Sequence, residues 1–223
     1  MNKPKPKTQK DISTLVSCIF PKDREKFLLS CGMDRLVIAN RRLTFDLLNC
    51  VSSFKPKISE VKTRNVGEQK QIECYQKLMA NPLKGSGTFV INSFPTDLRA
   101  KQLAAVVMNR AMDIYSDFDS RHRAGRSAPM WIKLTGYSSH DVIKQIRETN
   151  PCMLVITNIN DESTPYKIEK LRDILDVFDS IPKLVVTAGQ DPLTFFARKL
   201  YYPVTAAIRI GSDQKITHIL DML

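Results

Sequence analysis

The spacing of apolar positions changes character partway along the chain. Up to about residue 84, short helical stripes dominate. Ile12, Leu15, Val16, Ile19 and Phe20 form one stripe, which Pro21 stops. The pattern predicts a second helix over 23–30, a strand or helix start at 34–40, a helical stretch at 43–48 and a helix over 71–79 ended by Asn81-Pro82. Residues 52–70 are polar and basic and read as a linker or mobile loop. The Gly-Ser-Gly at 85–87 reads as flexible punctuation and marks a candidate domain boundary. Beyond it, strands are expected at 88–92, 129–134, 152–157, 183–187 and 205–210. Helices are expected at 96–115, 140–148, 166–178 and 192–200.

Leu98, Leu103, Val106, Val107, Ala111 and Ile114 are expected on the inner face of the long helix, and Ser138 or Ser139 as the cap of the next. The run at 152–157 is almost wholly apolar, as suits a parallel strand covered on both faces. Regular alternation of strand and helix predicts an α/β fold, a parallel sheet with helices on both faces. A small, mainly helical basic region precedes it. The organisation is then a disordered basic arm (1–10), a basic helical region (11–84) and an α/β domain (85–223).

Charge sharpens this division. The 223 residues carry 34 Lys and Arg against 23 Asp and Glu, a formal net charge of +11. Residues 1–84 hold 17 of the basic and 8 of the acidic side chains, a net of +9, and 85–223 hold a net of +2. Such asymmetry favours a polyanionic partner, above all nucleic acid. The competing reading is a solvated, soluble surface. Candidate phosphate contacts are Lys3, Lys5, Lys7 and Lys10 of the arm, Arg41 and Arg42, and the loop residues Arg121, Arg123 and Arg126. Arginine suits bidentate phosphate contact. Stacking partners near these charges are few: Phe45, Phe54 and Tyr75. Tyr201 and Tyr202 either stack a base or pack on the sheet.

Other classes are disfavoured. No apolar run approaches the roughly 20 residues of a membrane span, and no apolar stretch follows the basic N-terminus as in a signal peptide, so the cytoplasm is the expected compartment. Five cysteines and three histidines show no zinc-ligand spacing, and no metal is expected. Ser138-Ser139-His140 places a nucleophile beside a base, but neighbours on one turn seldom face each other, and a helix cap explains the serine better. Asp117 and Asp119 lack a further carboxylate.

In a parallel sheet, chemistry collects where strands end and helices begin. The first such turn, after the strand at 88–92, runs through Ser93, Phe94, Pro95, Thr96, Asp97, Leu98, Arg99, Ala100 and Lys101. A phosphate-cradling loop there requires glycines, a lysine and a magnesium-binding hydroxyl. This turn has no glycine. Arg99 stands in the lysine place, Ala100 in the hydroxyl place, and Lys101 comes two residues late. Asp97 and Leu98 oppose a triphosphate by charge and size. The strand at 152–157 leads into Thr157 and Asn158 instead of an acidic pair, and Asp161 and Glu162 follow too late to be on the strand end. Thr187 occupies the polar place at the end of the next strand.

The order of elements, with Ser93-Phe94-Pro95, Leu103-Ala104-Ala105, Leu154-Val155-Ile156, Leu-Arg-Asp-Ile-Leu at 171–175 and Val185-Val186-Thr187, resembles the AAA+ domain of bacterial helicase loaders and related transposition ATPases over roughly 86–212. The resemblance implies a P-loop NTPase-like fold, an N-terminal segment that contacts a replicative helicase, and contact with single-stranded DNA. With Ser93, Arg99, Lys101, Thr157, Asn158 and Thr187 as a degenerate nucleotide site, it implies a pseudo-ATPase without a bound cofactor. A divergent NTPase using Arg99 or Lys101, and a protein-interaction scaffold without ligand, stand as alternatives. In a family of that kind Arg198 would be read as an arginine finger, whereas the residues alone suggest a solvated charge.

Overall fold

The computed structural model describes residues 73, 76–78, 80–84, 86–117, 125–134, 138–160, 163–189, 202–210 and 216–218. The arm, the linker, most of the 118–126 loop and the expected helix at 192–200 lie outside them. Within them are six strands and three long helices, alternating as far as the fourth strand. They are β1 (Gly87–Ser93), α1 (Leu98–Asp117), β2 (Met130–Lys133), α2 (Ser139–Thr149), β3 (Leu154–Asn160), α3 (Pro165–Val177), β4 (Pro182–Ala188), β5 (Ala206–Ile210) and β6 (Ile216–His218). The sheet order is β2-β3-β4-β1-β5-β6. The first five strands are parallel. Strand β6, which the sequence pattern does not announce, pairs antiparallel with β5, so the sheet is mixed at that edge. The five parallel strands and their helices are consistent with an α/β, P-loop-like fold.

The core has two layers because alternate residues of each strand face opposite ways. Ile91, Val155, Leu184, Val186, Ile208 and Ile210 face α1, whose Ala100, Leu103, Ala104, Val107, Met108, Ala111 and Met112 close over them. Val90, Leu154, Ile156, Val185 and Ala207 face the other way, toward Ile146 of α2 and Leu171, Ile174 and Leu175 of α3. Small residues at 100, 104 and 111 let α1 lie close to the sheet. Leu98 departs from expectation. It is 40% exposed, because α1 begins beyond the end of the sheet. Val106 and Ile114 are only partly buried. Leu78 belongs to the same core as α1.

Helix limits follow local chemistry. Ser138 caps α2: its Oγ accepts the Asp141 N–H at 3.2 Å and donates to Asp141 Oδ2 at 2.6 Å. That capping role accounts for the Ser-Ser-His sequence. Asn150 ends α2 in the left-handed region at φ 48°. Thr164 caps α3, and Pro165 occupies its first turn. At the far end the buried Lys183 ammonium donates to Phe178 O at 2.7 Å and Ile181 O at 3.2 Å, satisfying carbonyls just past α3.

Gly87 is a tight packing position rather than a flexible one. Its φ is +134°, and a Cβ there would lie 2.4 Å from Thr205 Oγ1, the atom that accepts the Thr88 N–H at 3.2 Å. Gly87→Ala is expected to destabilise the protein by about 2 kcal/mol through combined backbone strain and overpacking, read as a lower urea midpoint with an unchanged slope. Burial lowers the pKa of Lys183 below 10.5, and Asp179 only partly offsets this. Between the folded-state value and 10.5 the unfolded chain binds more protons, so the stability contributed at this site rises with pH through that window and falls as pH drops through the folded-state value. The stability of wild type relative to Lys183→Met should therefore increase as pH is raised toward 10.5 in matched denaturation series.

Candidate ligand edge of the sheet

All parallel strands end on one side, and three register rows locate the candidate residues there. Ser93 of β1 lies level with Ala188 of β4, and Ala188 with Asn160 of β3. Asn92 lies level with Thr187 one row lower. Lys133 ends β2 beside Thr157. The structure thus brings Ser93, Asn158 and Thr187 to one edge of the sheet, with Arg99 and Lys101 on the first turn of α1.

The β1–α1 turn is closed by its own serine. Ser93 Oγ donates to Thr96 O at 2.5 Å and accepts the Ala100 N–H at 3.1 Å, and the residue is buried. A phosphate in a cradling loop would be bound by such backbone N–H groups; here a hydroxyl holds one of them. Lys101 Nζ lies 2.7 Å from Asp97 Oδ2, so the late lysine is engaged with the carboxylate four residues earlier. Arg99 is half-buried and keeps Nη1 shielded from solvent without a hydrogen-bond partner. Phe94 and Leu98 are exposed at 42% and 40%.

The remaining polar positions are also engaged within the sheet. Thr187 Oγ1 accepts Asn92 Nδ2–H at 3.1 Å, with both residues buried and Asn92 Oδ1 left unpartnered. Thr157 Oγ1 donates to Ile132 O at 3.3 Å. Asn158 adopts φ 73°, and its Nδ2 donates to Leu134 O at 2.5 Å. The β3–β4 register slips between Ile156 and Ile159, a bulge centred on this asparagine.

That bulge corrects the sequence reading of β3. The strand continues past Thr157 to Asn160, so Asp161 and Glu162 follow its end directly instead of falling too late. Their own arrangement lies outside the described residues. So do Lys3, Lys5, Lys7, Lys10, Arg41, Arg42, Arg121, Arg123 and Arg198. Arg126 is described, and its Nη2 lies 3.5 Å from Ser180 Oγ near the start of β4. This is the amino-terminal side of the sheet, opposite Ser93 and Thr187. Tyr202 is a packing residue: it lies against the α2–α3 core and its hydroxyl donates to Leu175 O at 3.1 Å.

Sequence reasoning missed two features of the edge. Phe94 and Tyr166 are exposed, the latter at 53%. Lys133 and Lys167 lie close enough that burial and the Lys133 charge both lower the Lys167 pKa, burial more strongly. A signal was present in the strand ends: Phe94 and Lys133 stand at or just past carboxyl ends, where inward alternation stops. A cleft of about 490 Å³ lined by Ser163, Pro165, Ile168, Glu169 and Arg172 lies along the start of α3. Among the described residues no cluster of His, Cys, Asp and Glu could hold a metal ion, and no helix is long and apolar enough to cross a membrane.

The sheet and this edge define an α/β protein with a glycine-free turn between its first parallel strand and helix. No protein-family model matches the chain, and no curated protein matches it. Among solved structures, it is similar to one described as the crystal structure of the DnaC helicase loader, at 12% identity, over 65% of this chain and 86% of that one, with a TM-score of 0.32. The fold reading rests on the strand order and helical crossovers above.

Ser93→Ala removes both hydroxyl bonds and leaves the buried Ala100 N–H unpaired. It is expected to lower stability by about 1–3 kcal/mol, measured by thermal denaturation, with the larger end applying if no water reaches the turn.

Proposed function

We propose that this chain is a non-hydrolysing, nucleic-acid-associated accessory protein of DNA replication or recombination. In this reading it acts in the manner of a helicase loader: it binds DNA, single strands in particular, and a partner ATPase, without nucleotide turnover of its own. One observation carries the reading. The turn where a P-loop-like fold would hold phosphates is occupied by the Ser93 hydroxyl, and its nearest lysine is engaged with Asp97. The +9 charge of residues 1–84 supports a polyanionic partner.

A second reading has its own support. Strand β3 ends immediately before Asp161-Glu162, where an acidic pair would hold magnesium, and Arg99 has a guanidinium nitrogen without a partner. These favour a divergent NTPase that uses Arg99 or Lys101.

Equilibrium binding of a labelled single-stranded oligonucleotide at two salt concentrations, with and without Mg-ATP, separates the readings. The accessory protein binds without nucleotide, and its affinity falls steeply with salt, with a logarithmic slope of about −0.7 per phosphate contacted. Binding only in the presence of Mg-ATP would assign the chain to the divergent NTPases. Absence of binding in both states would leave a protein-interaction scaffold.

A further inference from the structure

The carboxyl edge of the sheet exposes two aromatic rings. Ser93, Ala188 and Asn160 form one row across β1, β4 and β3, so the chain leaves β1 and β3 at the same height, two strand spacings or roughly 10 Å apart. Phe94 is the residue after β1, and Tyr166 is the second residue of α3, which starts just beyond β3. They are the most exposed large hydrophobic side chains among the described residues, at 42% and 53%. Neither is needed to fill the core, which α1, α2 and α3 complete below them.

Two cations stand on the same edge. Lys133 is the exposed last residue of β2, and Lys167 follows Tyr166 on α3. Among the described residues neither forms an ion pair. Of the described carboxylates of this edge, Asp97 is engaged by Lys101 and Asp141 by the Ser138 hydroxyl.

From this juxtaposition we infer that the edge is a single-stranded nucleic-acid platform, on which bases stack on Phe94 and Tyr166 while Lys133 and Lys167, on the β2–β3 side of the edge, contact phosphates of the same strand. Rings with paired cations match a ligand that alternates apolar faces with negative charge, and an apolar protein surface would leave both lysines unanswered. The inference rests on the proposed nucleic-acid role and gives it a site, at the place where a P-loop-like fold would otherwise hold a nucleotide.

The test is fluorescence-anisotropy titration of the full chain with labelled oligo(dT) across a salt series. Each of Phe94→Ala and Tyr166→Ala is expected to weaken binding about tenfold or more with little change in the salt slope. Lys133→Gln and Lys167→Gln should each reduce that slope by about 0.7. Phe94→Trp should retain affinity, and its indole emission should be quenched on binding. Circular dichroism melts of the alanine variants confirm that these exposed positions leave the fold intact. If wild type binds and the four variants match it in affinity and slope, the platform is wrong and the nucleic-acid role belongs to other basic residues. If that result came with altered sedimentation of Phe94→Ala, the edge would be a contact between copies of this chain. If wild type does not bind, the broader proposal fails first.

Discussion

Strand β1 is hydrogen-bonded along both edges and covered on both faces, and the other described elements take their places from it. Its partners β4 and β5 are both parallel, so each must arrive by a crossover over the sheet. The crossovers from β1 to β2, β2 to β3 and β3 to β4 supply α1 on one face and α2 with α3 on the other. A strand in that position has no free side, which is why it admits almost nothing polar in its interior. The exceptions come at its ends. Gly87 enters beneath Thr205, and Asn92 and Ser93 leave toward solvent, each with its hydrogen bonds directed to immediate neighbours. The tight entry and the polar exit fix the height of β1 in the sheet and therefore the level at which the first turn emerges.

That turn shows how a strand-to-helix connection can be closed without glycine or anion. Orphan N–H groups at the start of a helix need an acceptor. In α1 the acceptor for Ala100 is a serine hydroxyl from the preceding strand, and the Asp97 carbonyl takes the Lys101 N–H at 2.8 Å. The solution is local and self-contained. It also leaves the apolar members of the turn, Phe94 and Leu98, facing outward, since neither the serine nor the Asp97–Lys101 pair covers them.

Among the described residues of 87–210 the strand and helix order was legible because the segments carry strong patterns: near-continuous apolar strands, and helices bounded by Ser138, Thr164 and Asn150. The failures are tertiary in origin. Asn158 looks like a strand terminator, yet it sits in the left-handed conformation at a bulge and bonds back to Leu134, so the ladder resumes beyond it. Leu98 has the spacing of a core residue but starts its helix above the sheet. Gly87 reads as a hinge when considered alone, and only the approach of Thr205, more than a hundred residues later, shows what it does. Strand β6 is three residues long and borrows its pairing from β5, so periodicity had nothing to register. At the candidate site, the absence of glycine from the β1–α1 turn was visible in the sequence. The shared level at which the chain leaves β1 and β3 was not, because it depends on strand register.

The other margin of the sheet has a different consequence. Strand β2 lies at the edge of the order and is only four residues long, ending in an exposed lysine. An unpaired edge is where chains recruit one another into extended ladders. Four residues offer too few backbone groups for a lasting foreign strand, and a lysine at the end obliges any newcomer to bury or displace a charge. A chain with this much β-branched sequence at its centre is thereby protected from edge-to-edge pairing on the β2 side.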